Sequence, residues 1–426
     1  MDDLWVVLPH LGAGGAQKVG LLAAEHFSAQ GYRVKVVTLI HGHPVRHAIP
    51  HGVIHQELGP ESNSHPLLRD GWNRSWMARA RRFGVAQFLK AHRLLIRAQL
   101  LLLSPWFESR IRPGSDGLAS TLFSRRASSL GAERLCSLKV LIEEERPQRL
   151  LSMLTRTNIL CCLAAWDLPI HLVVSERNDP ALQRLDRVWS LLRRLCYRRA
   201  DVVTANTDGV IQALKLMGQW QRLELLPNPV PTSLEVSEQQ LTSDRRQQEI
   251  LALARLQPQK GLDLLLRAFA LIVPSSRNGW RLTLVGEGPE GTALKRLSAE
   301  LGLDDVVSFE GFRTDTQTFF RRASIFALPS RFEGMPNALL EAMAFGLPSV
   351  VSDASPGPLE MVRDGVEGFV VPSENVEALA RALERFILDQ GLRERCGAEA
   401  RSTLAAMDWS VLEPCWRSVL ALPKEG

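Results

Sequence analysis

Short aliphatic and β-branched runs alternate with longer stretches of helical period along this whole chain. In the first half the strand candidates are Leu4–Leu8, Arg33–Leu39, Leu150–Leu154, His171–Val174 and Asp201–Thr204. In the second half they are Ile250–Ala254, Arg281–Val285, Val306–Phe309, Ile325–Leu328, Ser349–Val351 and Gly368–Val371. Strands that alternate with helices predict parallel sheets with helices packed on them. Between the halves, Pro227-Asn-Pro-Val-Pro231 opens a polar stretch rich in Ser, Thr, Glu and Gln that runs to Gln248, the composition of a linker. The predicted class is α/β, with two doubly wound, Rossmann-like domains facing across a cleft. They cover residues 1–230 and 249–405, joined by the linker 231–248. A last helix, 406–426, carries an apolar stripe of Trp409, Leu412, Trp416 and Leu420, and either crosses back to the first domain or packs on its own. No short-period repeat is present, which argues against a solenoid.

Composition narrows this picture. At 426 residues each half can bury a full core. No apolar run reaches the length of a membrane span, and Leu4–Leu8 has neither the basic flank nor the cleavage site of a secretory leader. The six cysteines lack Cys-x-x-Cys spacing and read as buried thiols of a cytosolic protein, neither disulfides nor a zinc site. His41 and His43 have no third ligand nearby and read as a loop. The net charge is +5, but 69–97 alone holds +7, so the remainder of the chain is −2. That distribution points to one local basic surface and away from nucleic acid.

The densest chemistry lies in Arg331-Phe-Glu-Gly-Met-Pro-Asn-Ala-Leu-Leu-Glu341. It follows a strand and opens a helix, the ligand-binding end of a parallel sheet. Backbone N–H groups of the turn Gly334-Met335-Pro336-Asn337 and the helix N-terminus suit an anion. The carboxylates Glu333 and Glu341 suit hydroxyls, and an anion beside a polyol describes a nucleotide sugar; a solvated helix face is the alternative for Glu341. The strand ending at Ala254 runs into Arg255-Leu-Gln-Pro-Gln-Lys-Gly261, where a guanidinium fork and an ammonium could grip a diphosphate or could be two surface cations. The first strand leads into His10-Leu-Gly-Ala-Gly-Gly-Ala16. Gly14 and Gly15 would permit close approach to a ligand, or simply form a turn.

The second half resembles the carboxyl domain of the retaining glycosyltransferases of family four, which have the GT-B fold. The resemblance is carried by Ala254–Gly261, Val285-Gly-Glu-Gly-Pro289, Phe309-Glu-Gly-Phe312, Ala327-Leu-Pro-Ser330, Phe332–Asn337, Glu341-Ala-Met-Ala344 and Gly365–Pro372. The first half matches more thinly, through Gly14-Gly15-Ala16, Arg199–Val203 and Leu226-Pro-Asn-Pro229. The resemblance implies that Arg255 and Lys260 hold the donor diphosphate, and that Glu333 contacts the transferred sugar. It implies that Glu341 holds the ribose, that Gly334, Met335, Pro336 and Asn337 touch sugar and phosphate, and that Gly311, Phe312 and Arg313 lie near the base. It also implies a UDP-sugar donor, no metal and no other cofactor; no Asp-x-Asp pair occurs in the chain.

Relatives often carry a His-Asp or similar pair after the fifth strand. This chain instead reads Val174-Ser-Glu-Arg-Asn-Asp-Pro180, a form that resembles transferases acting on lipid-linked N-acetylhexosamine. Glu176 and Arg177 are therefore candidates for the acceptor side, with a strand-closing charged loop as the alternative. On a helix, Arg79, Arg82, Lys90, Arg93 and Arg97 fall in one quadrant, with Phe88, Leu95, Ile96 and Leu103 roughly opposite. This pattern suits an anionic membrane surface, or an ordinary domain helix with solvated charges. The expected function is transfer of a hexose or N-acetylhexosamine to a lipid-linked or surface-glycan acceptor, by a cytoplasmic protein peripheral on the inner face of the plasma membrane. The alternatives are a nucleotide-sugar epimerase of GT-B architecture, a non-enzymatic basic protein binding membrane or nucleic acid, and a catalytically dead relative.

Overall fold

The computed structural model describes residues 2–59, 90–111, 117–230 and 246–423. Seven parallel strands form the first sheet: β1 (Leu4–Leu8), β2 (Val34–Thr38), β3 (Ile54–Glu57), β4 (Arg149–Met153), β5 (His171–Glu176), β6 (Val202–Ala205) and β7 (Leu223–Leu225). Their order is β3-β2-β1-β4-β5-β6-β7. Helices α1 (Gly15–Ala29), α2 (90–102), α3 (Ser104–Arg110), α4 (Leu118–Glu145), α5 (Thr155–Ala164), α6 (Arg187–Cys196) and α7 (Asp208–Met217) connect and cover them.

The second sheet has six parallel strands: β8 (Glu249–Leu253), β9 (Arg281–Val285), β10 (Val307–Gly311), β11 (Ile325–Leu328), β12 (Ser349–Ser352) and β13 (Gly368–Val371). Their order is β10-β9-β8-β11-β12-β13. Its helices are α8 (Leu262–Leu271), α9 (Gly291–Glu300), α10 (Gln317–Arg322), α11 (Asn337–Ala344), α12 (Pro356–Leu359), α13 (Val376–Leu388), α14 (Gln390–Leu404) and α15 (Trp409–Val419). In each sheet the strand order reverses once, at β1/β4 and at β8/β11. A crevice opens at the strands' carboxyl ends at such points.

Alternation along a strand sends neighbouring side chains to opposite faces. Trp5 and Val7 therefore join one core with Val37 and Leu150, while Leu4, Val6 and Leu8 join another with Val36 and Leu151. Both faces are buried, which is why these strands read as unbroken apolar runs. Two strands escape the sequence pattern, β3 and β7. Both are sheet edges, short and only partly buried, so no hydrophobic run marks them.

Helix α15 lies on the first sheet. Trp409, Leu412, Trp416 and Val419 share the core of Leu4, Val6 and Leu8. The Trp416 indole donates to Pro227 O at 3.2 Å, and Trp409 stacks on His26 at 3.9 Å. All six cysteines are free thiols, but against expectation only Cys161, Cys162, Cys196 and Cys396 are buried. Cys136 is exposed, on a face of α4 turned from the core, and Cys415 is half-buried, at the edge of the α15 face that packs on the first sheet.

The basic segment differs from its helical-wheel expectation. Arg79, Arg82 and Phe88 lie outside the described residues. In α2 the buried face is Ile96 and Leu100, at i and i+4, packed into the core of Phe107 and Phe123. Leu95 and Leu103, expected on the apolar face, are exposed together with Leu94, Leu101 and Leu102. Only this narrow stripe of α2 meets the core, where it joins Phe107 of α3 and Phe123 of α4. Arg97 is anchored to Asp186 at 3.1 Å, while Lys90 and Arg93 are exposed. Among the described residues no helix is long and apolar enough to cross a membrane.

Candidate active site

The site begins with a glycine. Gly261 has φ +61°, and a Cβ there would lie 2.1 Å from the Pro329 carbonyl oxygen. Only glycine lets the loop after β8 press against the loop after β11. That contact brings Lys260 Nζ to 2.5 Å from Glu333 Oε1. Ser330 Oγ donates to the same oxygen at 2.8 Å, and Glu333 N donates to Ser355 Oγ at 2.8 Å. Glu333 is 5% exposed. The two loops are also tied by Arg331, whose guanidinium reaches both oxygens of Asp263 at 2.9 Å and Glu374 at 2.5 Å. That bidentate fork holds the Asp263 carboxyl below the usual carboxylate range, although burial alone would raise it.

The turn Gly334–Pro336 leads into α11, where Asn337 is the first residue and Glu341 lies one turn on. Glu341 is also 5% exposed. Its Oε1 accepts from Lys18 Nζ of α1 at 2.7 Å, across the cleft. Asn337 Nδ2 donates to Gly15 O at 2.8 Å. From the other side Asn228 Nδ2 donates to Met335 O at 3.0 Å and Asn337 Oδ1 at 2.5 Å. Glu360 takes the backbone N–H groups of Asp208 and Gly209 at 2.9 and 2.8 Å, capping α7 from the opposite domain. The two domains thus meet around the Gly334–Asn337 turn, with Gly14 and Gly15 at one lip.

Arg255 is exposed at the end of β8 and close enough to His10 for its charge to lower that imidazole's pKa. His10 stacks on His43 with ring centroids 3.8 Å apart. Burial, then His43, then Arg255 keep His10 below the ordinary histidine value; burial and Lys18 do the same for His47, whose Nε2 accepts from Gly14 N at 3.5 Å. The cleft around Arg255 and Lys18 therefore carries fixed cations beside neutral imidazoles. Phe312 sits under the Arg46 guanidinium at 4.5 Å, and Arg46 reaches Glu287 at 3.7 Å. Gly311 has φ +67°, and Arg313 pairs with Glu310 at 2.9 Å.

Glu176 and Arg177 lie at the carboxyl end of β5, both buried. Glu176 accepts from Thr155 Oγ1 at 3.0 Å and Tyr197 OH at 2.5 Å, and burial raises its pKa. Arg177 Nη1 donates to Leu226 O at 3.0 Å and Asn228 Oδ1 at 2.7 Å, and its guanidinium lies over Trp416 at 5.6 Å. Burial pulls its pKa down to about 9. Its Nε and Nη2, and both amide atoms of Asn206 after β6, are buried without a hydrogen-bond partner among the described residues. A Cβ at Gly334 would touch both the Arg177 carbonyl and the Asn206 amide, so this polar cluster abuts the turn between Glu333 and Glu341.

The structure therefore draws Gly14, Gly15, Lys260, Glu333, Gly334, Met335, Pro336, Asn337 and Glu341 to one seam, with Arg177 behind it and Phe312 at its far end. Sequence reading passed over Lys18, Asn206, Asn228, Arg46 and the histidines His10 and His47. Asn228 sits inside the quoted Leu226-Pro-Asn-Pro229 run, and Lys18 lies one turn beyond Gly14-Gly15. His10 opens the quoted run that ends at Ala16, while Asn206, Arg46 and His47 carry no local signal. Among the described residues no three His, Cys, Asp or Glu side chains converge to hold a metal ion.

Known proteins resemble this chain in sequence and in fold. Residues 235–403 match the family model described as glycosyl transferases group 1. The chain is 30% identical over 224 residues to LpsE, a lipopolysaccharide core biosynthesis glycosyltransferase of Rhizobium meliloti, covering 52% of this chain and 64% of that one. It is 25% identical over 308 residues to an α-1,4-N-acetyl-D-galactosaminyltransferase of Campylobacter jejuni named for a GalNAc-bearing undecaprenol diphosphate (72% of this chain, 83% of that one). It spans only 20% of the length of an exopolysaccharide phosphotransferase of Streptomyces coelicolor, to which it is 35% identical over 199 residues, 46% of this chain. The crystal structure of Anabaena HepE in complex with UDP superposes with a TM-score of 0.69 at 17% identity, covering 99% of this chain and all of that one. Over residues 235–403 the chain is similar to the glycosyl transferases group 1, and its two facing sheets give it the GT-B fold.

Proposed function

We propose that this protein is a retaining, metal-independent glycosyltransferase that moves a hexose or N-acetylhexosamine from a UDP-sugar to a lipid-linked or surface-glycan acceptor. The observation that carries the reading is the pairing of two buried carboxylates with two lysines around one helix N-terminus: Lys260 with Glu333 and Lys18 with Glu341. Carboxylates bind sugar and ribose hydroxyls, while ammonium groups and backbone N–H groups bind a diphosphate. In the structure each lysine is paired with its carboxylate. When donor binds, Glu341 takes the ribose and Glu333 a hydroxyl of the transferred sugar, while Lys260 and Arg255 turn to the diphosphate. The bond between the anomeric carbon and the β-phosphate oxygen then breaks, with its electron pair and charge held by Lys260, Arg255 and the α11 N-terminus. The acceptor oxygen enters on the same face and its proton passes to the departing phosphate oxygen. Arg177 and Asn206, buried against the Gly334 turn, shape the acceptor side from behind, with Glu176 fixing the loop that carries Arg177.

Support for the donor comes from HepE, whose structure holds UDP, and for the acceptor from the Campylobacter enzyme's undecaprenol diphosphate. The test is thermal unfolding with UDP, GDP and ADP and their sugar conjugates, each with and without EDTA, followed by NMR of the product anomer. UDP at 100 times its dissociation constant should stabilise by about 2.7 kcal/mol, unchanged by EDTA. Stabilisation by GDP or ADP alone would overturn the donor, EDTA sensitivity the metal-independence, and an inverted anomer the retaining course.

The exposed leucines and cations of α2 support docking on an anionic bilayer, next to the acceptor-side loop that Arg97 reaches through Asp186. Lys90→Gln with Arg93→Gln should weaken binding to phosphatidylglycerol vesicles by about 2 kcal/mol, roughly 30-fold, at low salt. Equal sedimentation of parent and variant with the vesicles would remove α2 from the contact.

A further inference from the structure

The donor loops all leave the carboxyl ends of the second sheet. At its opposite end lies a cavity of about 290 Å³ that the proposed reaction does not use. It is bounded by the chain entering β8 (Arg246–Gln248), by Ser324 before β11, by Gly346 and Pro348 before β12, and by Gln390, Arg393, Glu394 and Arg401 of α14. Three guanidinium groups converge here, and among the described residues none is hydrogen-bonded to a carboxylate. The only carboxylate in the lining, Glu394, accepts from Gln390 Nε2 at 2.9 Å instead.

Each arginine is held differently. Arg246 donates to Ala323 O at 2.8 Å and Phe345 O at 2.6 Å, so it caps the carboxyl ends of α10 and α11. Its burial, and then the nearby Arg401 charge, lower its pKa to about 10. Arg393 bonds the Phe386 and Ile387 carbonyls and lies over Trp280 at 5.2 Å. Arg401 makes no hydrogen bond with the described residues. Its guanidinium lies where a side chain at Gly346 would be; Gly346 has φ +63°, and a Cβ there would lie 1.9 Å from Arg401 Nη1. Two like charges held close, one of them largely buried and the other at the mouth of the cavity, with the one lining carboxylate turned to an amide, make this a favourable place for an anion.

We propose that this cavity is a second anion site, which takes inorganic phosphate or a small phosphomonoester and is linked to the donor site through α11. The helix is about 12 Å long. Its first turn carries Asn337 and its second Glu341, both in the seam, and its last carbonyls are the ones Arg246 holds at the cavity. An anion that draws Arg246 and Arg401 inward changes the grip on the C-terminal end of the helix that positions Glu341.

The experiment is calorimetric titration of inorganic phosphate into protein saturated with UDP, which blocks the donor site. One phosphate should bind, at least tenfold more weakly in Arg401→Gln and more tightly in Glu394→Gln, which removes the opposing charge. Arg401 is exposed and unbonded, so its variant keeps the fold; circular dichroism checks this. UDP affinity should also change with added phosphate in the parent but not in Arg401→Gln, since linkage is reciprocal. No phosphate binding to the UDP-saturated protein, or binding untouched by Arg401→Gln, would overturn the site. A phosphate effect on UDP affinity that Arg401→Gln preserves would overturn the link. If UDP itself does not bind, phosphate binding lost in Arg401→Gln but kept in Lys260→Ala still assigns this cavity, so the two readings fail separately.

Discussion

Lys260→Ala should lower kcat about 100- to 1,000-fold, the loss expected when one fixed donor to a developing leaving-group charge is removed. The same change strands Glu333, a buried carboxylate whose remaining side-chain donor is Ser330 Oγ at 2.8 Å. Breaking a buried pair from one side costs more than the pair itself contributes, here about 3 kcal/mol of stability. The two effects separate in a double variant. Lys260→Met with Glu333→Gln replaces the pair by neutral groups of similar size, so the melting temperature should return most of the way while activity stays lost. Steady-state kinetics and thermal unfolding of the three proteins decide the matter. A near-parental kcat in Lys260→Ala would exclude Lys260 from the leaving-group side, whatever the stability shows.

The second large effect falls on affinity. Glu341→Ala removes the acceptor proposed for the ribose hydroxyls, and charged hydrogen bonds of this kind are worth about 2–3 kcal/mol. UDP should bind roughly 30- to 160-fold more weakly. The fold should hold, because the partner that Glu341 leaves behind, Lys18, has 30% of its side chain exposed and can return to water. Lys18→Met is the informative companion. It opens the same cross-domain clasp but leaves the carboxylate for the ribose, so UDP affinity should not fall. If both variants lose affinity equally, the clasp and not the carboxylate is what the nucleotide needs, and the ribose assignment is wrong.

Much of this site was legible because its parts hang on local rules. Arg255, Lys260 and Glu333 lie in loops that follow apolar strand runs, and Glu341 lies on the helix that the last of these loops opens, so all four come at the ligand end of a parallel sheet. Gly261 and Gly311 entered through the runs that carry the resemblance, and the structure gives both a left-handed φ that favours glycine. The helix α2 was misread because a helical wheel reports periodicity, while burial depends on what packs against the helix. Its core contact is only Ile96 and Leu100, and Leu94, Leu95 and Leu101–Leu103 are left outside. The cavity beside α14 had no signal at all, since its arginines come from two distant segments, the chain entering β8 and α14.

By itself the sequence determined the alternation of elements, the two parallel sheets, and which end of each sheet carries carboxylates, cations and glycines. These follow from short-range hydrophobic period and backbone sterics, which act within a few residues. Only the tertiary structure decided the partnerships. Lys18 meets Glu341 from 323 positions away, and Asn228 meets Asn337 from 109 away. Such pairs depend on how two independently built domains dock, a matter of shape and of α15 returning Trp416 beneath Arg177. The edge strands β3 and β7 likewise exist because a neighbouring strand offers them hydrogen bonds, not because their own residues demand it.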